Sequence, residues 1–331
     1  MGKSLPSLIS SLVAVLIVLT AWPAAAADLG LITGSEKGTY YQFGLNLQAL
    51  AKRSGLSLDV FPSKGSIENV VAVYERPGVP LGIVQSDVLA FVTRVESNPA
   101  LRQIAKKTRM VFPLYNEEVH LLAKRDIAGF DDLTDRRVAV GREGSGTYLT
   151  ARLLFKVSEV QPREMVPIDT DEALAQLKAG QIDAMFFVAG YPVKLLTEGV
   201  SEADNLALMP ITNKSITEFY PNAEIPAGTY RWQEAAVSTV AVKSVLISFD
   251  FRKKECETIG KFAKTISDNM GWLQTTGHPK WKSVDLNYPL RDWEQYDCVR
   301  KYLGTPVPAA NAAKSGTANP VMDSVKQLLG K

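Results

Sequence analysis

Four segments of this 331-residue chain repeat one order: an apolar run, a short Gly/Ser/Thr turn, then the first residues of an amphipathic helix. They are Leu29–Ile32 into Gly38-Thr39-Tyr40-Tyr41, Leu58–Val60 into Gly65-Ser66-Ile67-Glu68-Asn69, Leu81–Val84 into Gln85-Ser86-Asp87, and Val138–Val140 into Gly144-Ser145-Gly146-Thr147. Repeated strand-turn-helix units restrict the chain to an α/β architecture with mainly parallel sheets. Each turn also aims free backbone N–H groups and the positive end of a helix dipole out of the sheet edge, which suits an anion. Several such turns facing one cleft, with no catalytic constellation nearby, read as a receptor for a small acid and not as an enzyme.

The N-terminus points to export. Lys3 precedes the apolar stretch Leu8 to Trp22, and Ala24-Ala25-Ala26-Ala27 offers a cleavage site before Asp28, so residues 1–27 read as a cleaved signal peptide, with an uncleaved N-terminal anchor as the alternative. The stretch is shorter than the ~20 residues of a spanning helix. Export places the chain in the periplasm, where the only two cysteines, Cys256 and Cys298, can pair as a disulfide. The alternative is that Cys256 is simply a buried residue on the face it shares with Ile259, Phe262, Ala263, Ile266 and Met270. Two cysteines and two distant histidines, His120 and His278, give no zinc spacing, and neither metal nor cofactor is expected. The formal charge is +2, or +1 once residues 1–27 with Lys3 are removed; no basic run suggests nucleic acid or a membrane surface.

The length suits two domains. Helical faces follow the first three turns: Phe43, Leu47, Leu50 and Ala51; then Ile67, Val70, Val71 and Tyr74 behind a Ser66 N-cap; then Val88, Phe91, Val92 and Val95 behind Ser86. Val119–Ala123 reads as a strand crossing into a second lobe that starts near Asn116. Thr147 opens a helix, Thr170 to Ala179 is a helix closed by Gly180, and Ile182 to Val188 is a buried strand. Pro192 suits the first turn of a short helix, and Pro221 to Tyr230 reads as loop. Val237 to Ile247 is a long strand returning to the first lobe. The expected division is residues 28–115 with 237–303 as lobe I and 116–236 as lobe II, joined by two crossing strands that act as a hinge. Residues 304–331, rich in Gly, Pro, Ala, Ser and Asn, read as a flexible tail.

Gly144-Ser145-Gly146-Thr147 is the most pointed of the turns, because its glycines let backbone approach a ligand. It lacks the Lys of a phosphate loop and the spacing of a nucleophile elbow. His120 sits mid-strand and reads as packed; His278, before Pro279, reads as solvated. Arg142 and Lys37 lie in candidate loops and could each pair with a carboxylate, with a solvated surface charge as the alternative. Asp87 suits stabilisation of its own helix N-terminus.

Taken jointly, these motifs resemble the TAXI-type solute receptors of tripartite ATP-independent periplasmic (TRAP) transporters. The residues that carry the resemblance also include Gly180-Gln181-Ile182-Asp183-Ala184, Phe187-Val188-Ala189-Gly190 and Ile225-Pro226-Ala227-Gly228-Thr229-Tyr230. It covers roughly residues 29 to 250. The resemblance implies a two-lobed type II periplasmic-binding-protein fold, a small carboxylate such as glutamate or 2-oxoglutarate in the cleft, and delivery to membrane permease subunits. By analogy the ligand shell is Thr39, Tyr40, Ser66, Gln85, Ser86, Ser145, Gly146, Thr147 and Gly190, with Arg142 as a further carboxylate partner. A monomer is expected. The chain departs from the family in Gly34-Ser35-Glu36-Lys37-Gly38, which carries charge where small residues are usual, and in Arg142, which replaces the more typical small or Pro residue before the Gly-Ser-Gly turn. Two rivals remain: a receptor of the same architecture serving an ABC importer or a membrane sensor, and an exported hydrolase using Ser145 or Ser86, which ranks last because no base is evident.

Overall fold

The computed structural model describes residues 29–94, 99–251, 254–290 and 293–305. The signal segment, Val95 and the C-terminal tail past Thr305 lie outside them. The first lobe is built from β1 (Leu29–Ile32), α1 (Thr39–Arg53), β2 (Leu58–Phe61), α2 (Ser66–Glu75), β3 (Leu81–Gln85), α3 (Ser86–Arg94) and α4 (Pro99–Lys107). The chain leaves it along β4 (Thr108–Lys124). The second lobe holds β5 (Arg137–Ala139), α5 (Gly146–Ser158), β6 (Glu164–Val166), α6 (Thr170–Lys178), β7 (Ala184–Ala189), α7 (Lys194–Gly199), β8 (Leu206–Leu208), α8 (Lys214–Thr217) and β9 (Asn222–Ile225). Return is along β10 (Val237–Phe249), followed by α9 (Lys254–Asp268), α10 (Met270–Thr276) and α11 (Asp297–Leu303) on the first lobe.

One sheet path runs β2-β1-β3-β10-β4-β7-β5-β6, with β8 added on β4 and β9 on β10. The β1–β2, β1–β3, β5–β6 and β5–β7 pairs are parallel, whereas every pair made by β4 or β10 is antiparallel. The sheet is therefore mixed, not mainly parallel. The reason is topological: a strand leaving a lobe and one returning to it run in opposite senses, and here they lie side by side. β4 pairs β10 up to Glu118 and pairs β7 from Glu118 onward, so Glu117 and Glu118 mark the crossing between lobes.

Helix faces cover the sheet as the apolar spacing requires. Phe43, Leu47, Leu50 and Ala51 of α1 pack with Ile259, Phe262, Ala263 and Ile266 of α9 against Leu31, Leu81 and Phe112, all fully buried. In the second lobe Ala173, Leu174 and Leu177 of α6 pack on Met185 and Phe187. A third cluster runs through both lobes, from Val84 and Val88 to Val138, Leu154 and Phe186. Cys256 of α9 and Cys298 of α11 form a disulfide with their Cα atoms 5.5 Å apart.

Three local readings of the sequence change. Ser66 and Ser86 are first helical residues, not N-caps: their hydroxyls accept the Gln85 and Lys243 backbone N–H groups and tie neighbouring strands to the helix starts. The segment 221–230 is not all loop, because Asn222–Ile225 pairs with β10 as an edge strand between its prolines. Pro192 precedes α7 instead of opening it, and its bond to Tyr191 is cis.

Candidate ligand-binding cleft

A pocket lies between the lobes, enclosing about 620 Å³ with its open mouth included. Its walls come from the turns before three helices. Gly38, Thr39 and Tyr40 belong to the start of α1, Gly65 and Ser66 to the start of α2, and Ser145, Gly146 and Thr147 to the start of α5. The first N–H groups of each helix have no intrahelical partner, so three positive dipole ends converge on one space. Arg142, Lys64 and Ser63 contribute polar lining, and Phe187, Val188 and Ala189 contribute apolar lining.

Two glycines are needed at the rim. Gly65 holds φ at +121°, which an L side chain rarely adopts. A Cβ on Gly146 would lie 1.6 Å from the Gln85 Oε1 atom, so no side chain fits there. The lobes already touch at this point, where the Ile67 N–H donates to the Gly144 carbonyl over 3.2 Å. Ser145 is the N-cap of α5, its Oγ accepting the Tyr148 N–H at 3.0 Å. The Thr147 hydroxyl accepts the Val188 N–H at 3.1 Å and fixes α5 to β7. Arg142 meets Asp169 at 3.4 Å, and its Nε is buried without a partner.

Of the ligand shell expected from the sequence, Thr39, Tyr40, Ser66, Gln85, Arg142, Ser145, Gly146 and Thr147 line this pocket together. Ser86 and Gly190 do not. The Ser86 hydroxyl accepts the Lys243 N–H of β10, and the Gly190 carbonyl accepts the Thr39 hydroxyl at 2.5 Å, where a Cβ on Gly190 would meet the Tyr115 ring at 2.6 Å. Lys37 pairs with Asp171, away from the pocket wall. His278 is not solvated: its ring lies against Phe43, and its Nε2 donates to the Pro192 carbonyl at 3.1 Å. His120 is buried, its Nδ1 2.9 Å from the Glu118 carbonyl and its Nε2 2.8 Å from the Tyr230 hydroxyl; burial lowers its pKa to about 4. The hydrogen bonds of Ser145 and Ser86 run to backbone N–H groups, with no histidine partner among the described residues.

Sequence reasoning missed Glu117, a pocket residue only 1% exposed. Its Oε1 accepts the Tyr40 hydroxyl at 2.7 Å. Burial holds its pKa well above the usual carboxylate range; the Tyr40 bond opposes this, and the charges of Asp87 and Glu118 add to it. Next to it Glu118 meets Lys280 at 2.6 Å in a buried ion pair, with the Lys280 ammonium over the Tyr191 ring. Asp87 is also buried and accepts the Thr150 hydroxyl of α5 at 3.0 Å; burial pushes its pKa up to about 6. The only sequence signal for Glu117 was an acidic pair interrupting an apolar strand, which also fits an exposed lobe boundary.

This geometry is that of the two-lobed, type II periplasmic-binding-protein fold, with a cleft at the strand crossings. Solved structures share the architecture. They include R. palustris Rpa4515 with adipate (14% identity, TM-score 0.52, 93% of this chain and 98% of that one) and the periplasmic binding protein BugD (11%, 0.51, 91% and 93%). A periplasmic transporter structure matches at 16% identity and TM-score 0.50, over 75% of this chain and 87% of its own. The chain itself belongs to the NMT1-like family, whose profile matches residues 31–290. Among the described residues no helix is long and apolar enough to cross a membrane.

Proposed function

We propose that this chain is an exported, non-enzymatic solute receptor of the TAXI type, serving a TRAP transporter. It binds a small carboxylate, glutamate-like or 2-oxoglutarate-like, between the lobes and delivers it to membrane permease subunits as a monomer. The observation that carries the reading is the convergence of three helix N-termini on one cleft beside Arg142, an arrangement that stabilises carboxylate oxygens. The ligand shell is Thr39, Tyr40, Ser66, Gln85, Arg142, Ser145, Gly146 and Thr147. Lobes 28–115 with 237–303 and 116–236 move about β4 and β10, and contacts of the ligand to both sides favour the closed state. Adipate bound in the R. palustris structure is consistent with a dicarboxylate in this fold.

The test is a thermal-shift screen of the purified protein against amino acids, dicarboxylates, 2-oxoacids, sugars and phosphates. A ligand at 100 times its Kd adds about 2.7 kcal/mol, a shift of several °C. A shift confined to carboxylates supports the reading. A sugar or phosphate hit with a flat carboxylate set overturns the ligand. Turnover of generic esters would overturn the receptor.

A further inference from the structure

The pocket has two kinds of wall, and the second is not suited to an anion. Beside the starts of α1 and α2, Glu117 sits at the crossing of β4 between lobes, 1% exposed, with its Oε1 held by Tyr40. No cationic side chain forms an ion pair with it among the described residues. The groups facing it are Tyr40 of α1, Asp87 of α3, Tyr115 and Glu118 of β4, Ser244 of β10 and Lys280, whose ammonium is engaged by Glu118. Gln85, also 1% exposed, lines the same pocket, and its Oε1 is buried without a donor. Tyr40, bonded to Glu117, stands 3.4 Å from the Ser66 hydroxyl, so the acceptor wall and the anion wall are joined through one hydroxyl pair.

Resting on the receptor reading above, we propose that Glu117 is the specificity-determining group of the cleft, taking a protonated nitrogen of the ligand while the helix N-termini take its carboxylate. The ligand class is then the zwitterion, an amino acid, in preference to the 2-oxoacid or plain dicarboxylate of the same skeleton. A buried acid with acceptors beside it and no cation of its own is completed by a group that brings both charge and donors. An ammonium supplies both; a keto oxygen supplies neither. Burial raises the pKa of Glu117, and an ammonium bound beside it lowers that pKa again, so capture of an amino acid favours loss of the Glu117 proton. Amino-acid affinity therefore rises with pH until Glu117 is ionised in the free protein, whereas 2-oxoacid affinity lacks that rise.

The experiment is titration calorimetry of the purified protein with matched pairs, L-glutamate against 2-oxoglutarate and L-alanine against pyruvate, in two buffers of different ionisation enthalpy. The expected result is tighter binding of an amino acid than of its 2-oxoacid, with proton release for the amino acid alone. Glu117→Gln, similar in shape, should cost the amino acid about ten- to hundredfold and the 2-oxoacid little. Should that variant not fold, Tyr40→Phe removes the hydroxyl that steadies the ionised carboxylate and should weaken the amino acid more than its partner. If 2-oxoacids bind as well as amino acids, or the preference survives Glu117→Gln, this inference is overturned and the receptor reading stands. If no member of either pair binds, and the wider screen finds no carboxylate, both fail together.

Discussion

Ser145 accepts the Tyr148 N–H and Thr147 accepts the Val188 N–H, while Ser66 accepts the Gln85 N–H. A hydroxyl that accepts from the backbone still has its own proton to give: those of Ser145 and Thr147 are free for a ligand anion, whereas Ser66 directs its own at the Tyr40 oxygen, whose proton goes to Glu117. Ser145 and Thr147 thus serve the fold and the ligand with different atoms of one group. Ser145→Ala should cost about 0.5–2 kcal/mol of stability through the lost cap, read by urea unfolding. Ser145→Ala and Thr147→Val should each weaken carboxylate binding by about 1–3 kcal/mol, read calorimetrically; unchanged affinity in both would displace the ligand from this wall. Gly146 allows no such trade, since any Cβ meets the Gln85 amide. The Gly-Ser-Gly-Thr turn was legible in the sequence because its signal is local. Glu117 was not, because its burial depends on β10, α1 and α3, which arrive from distant parts of the chain.

At the scale of elements, the strand-turn-helix units announced themselves through apolar spacing: β1, β3 and α1 begin where the residues place them. β4 did not. Arg109, Asn116, Glu117 and Glu118 break its apolar pattern, so only Val119–Ala123 was readable within a strand of 17 residues. β9 was hidden by Pro221, Pro226 and Gly228, which punctuate an edge strand that needs hydrogen bonds on one side only. The C-terminal helices depend on a covalent tie as well as on packing. The Cys256–Cys298 disulfide joins α9 to α11 across 42 residues, beside Gly260, where a Cβ would meet the Tyr302 ring at 2.3 Å. Reduction should lower stability by about 3–4 kcal/mol through the entropy regained by the unfolded chain, measured by urea unfolding with and without reductant.

Across the whole molecule, contacts between the lobes surround the cleft. Ile67 bonds to Gly144, the Leu195 N–H donates to the Lys37 carbonyl, Thr39 bonds to Gly190, and His278 to Pro192. Saturating ligand should slow hydrogen exchange at the Ile67 amide, because closure is what protects it. Asp87 to Thr150 is a further link, from α3 to α5. Its carboxyl titrates near pH 6 when folded, above its ordinary value of 3.8, so the native state holds the proton more tightly than the unfolded chain. Stability therefore falls as pH rises from about 4 to 6, and the full cost of the buried charge is present above that window. Asp87→Asn, which keeps an acceptor for Thr150, should stabilise the fold more at pH 8 than at pH 4, by an amount on the order of 3 kcal/mol, read as a larger Tm gain at the higher pH. An equal shift at both pH values would remove Asp87 as the titrating group.

The sequence by itself determined the α/β units, the turns that expose helix N-termini, and the glycines those turns require, since all depend on neighbours within a few residues. That three of the four turns meet at one space was decided by the tertiary structure. Tertiary structure alone decided the antiparallel crossing of β4 and β10 and the burial of Glu117, Glu118 and Asp87. It also decided that Ser86 and Gly190 serve the scaffold and not the pocket wall. Burial and pairing are set by residues more than a hundred positions apart, as in the Lys243–Ser86 and Thr39–Gly190 bonds, and no local pattern encodes such a meeting.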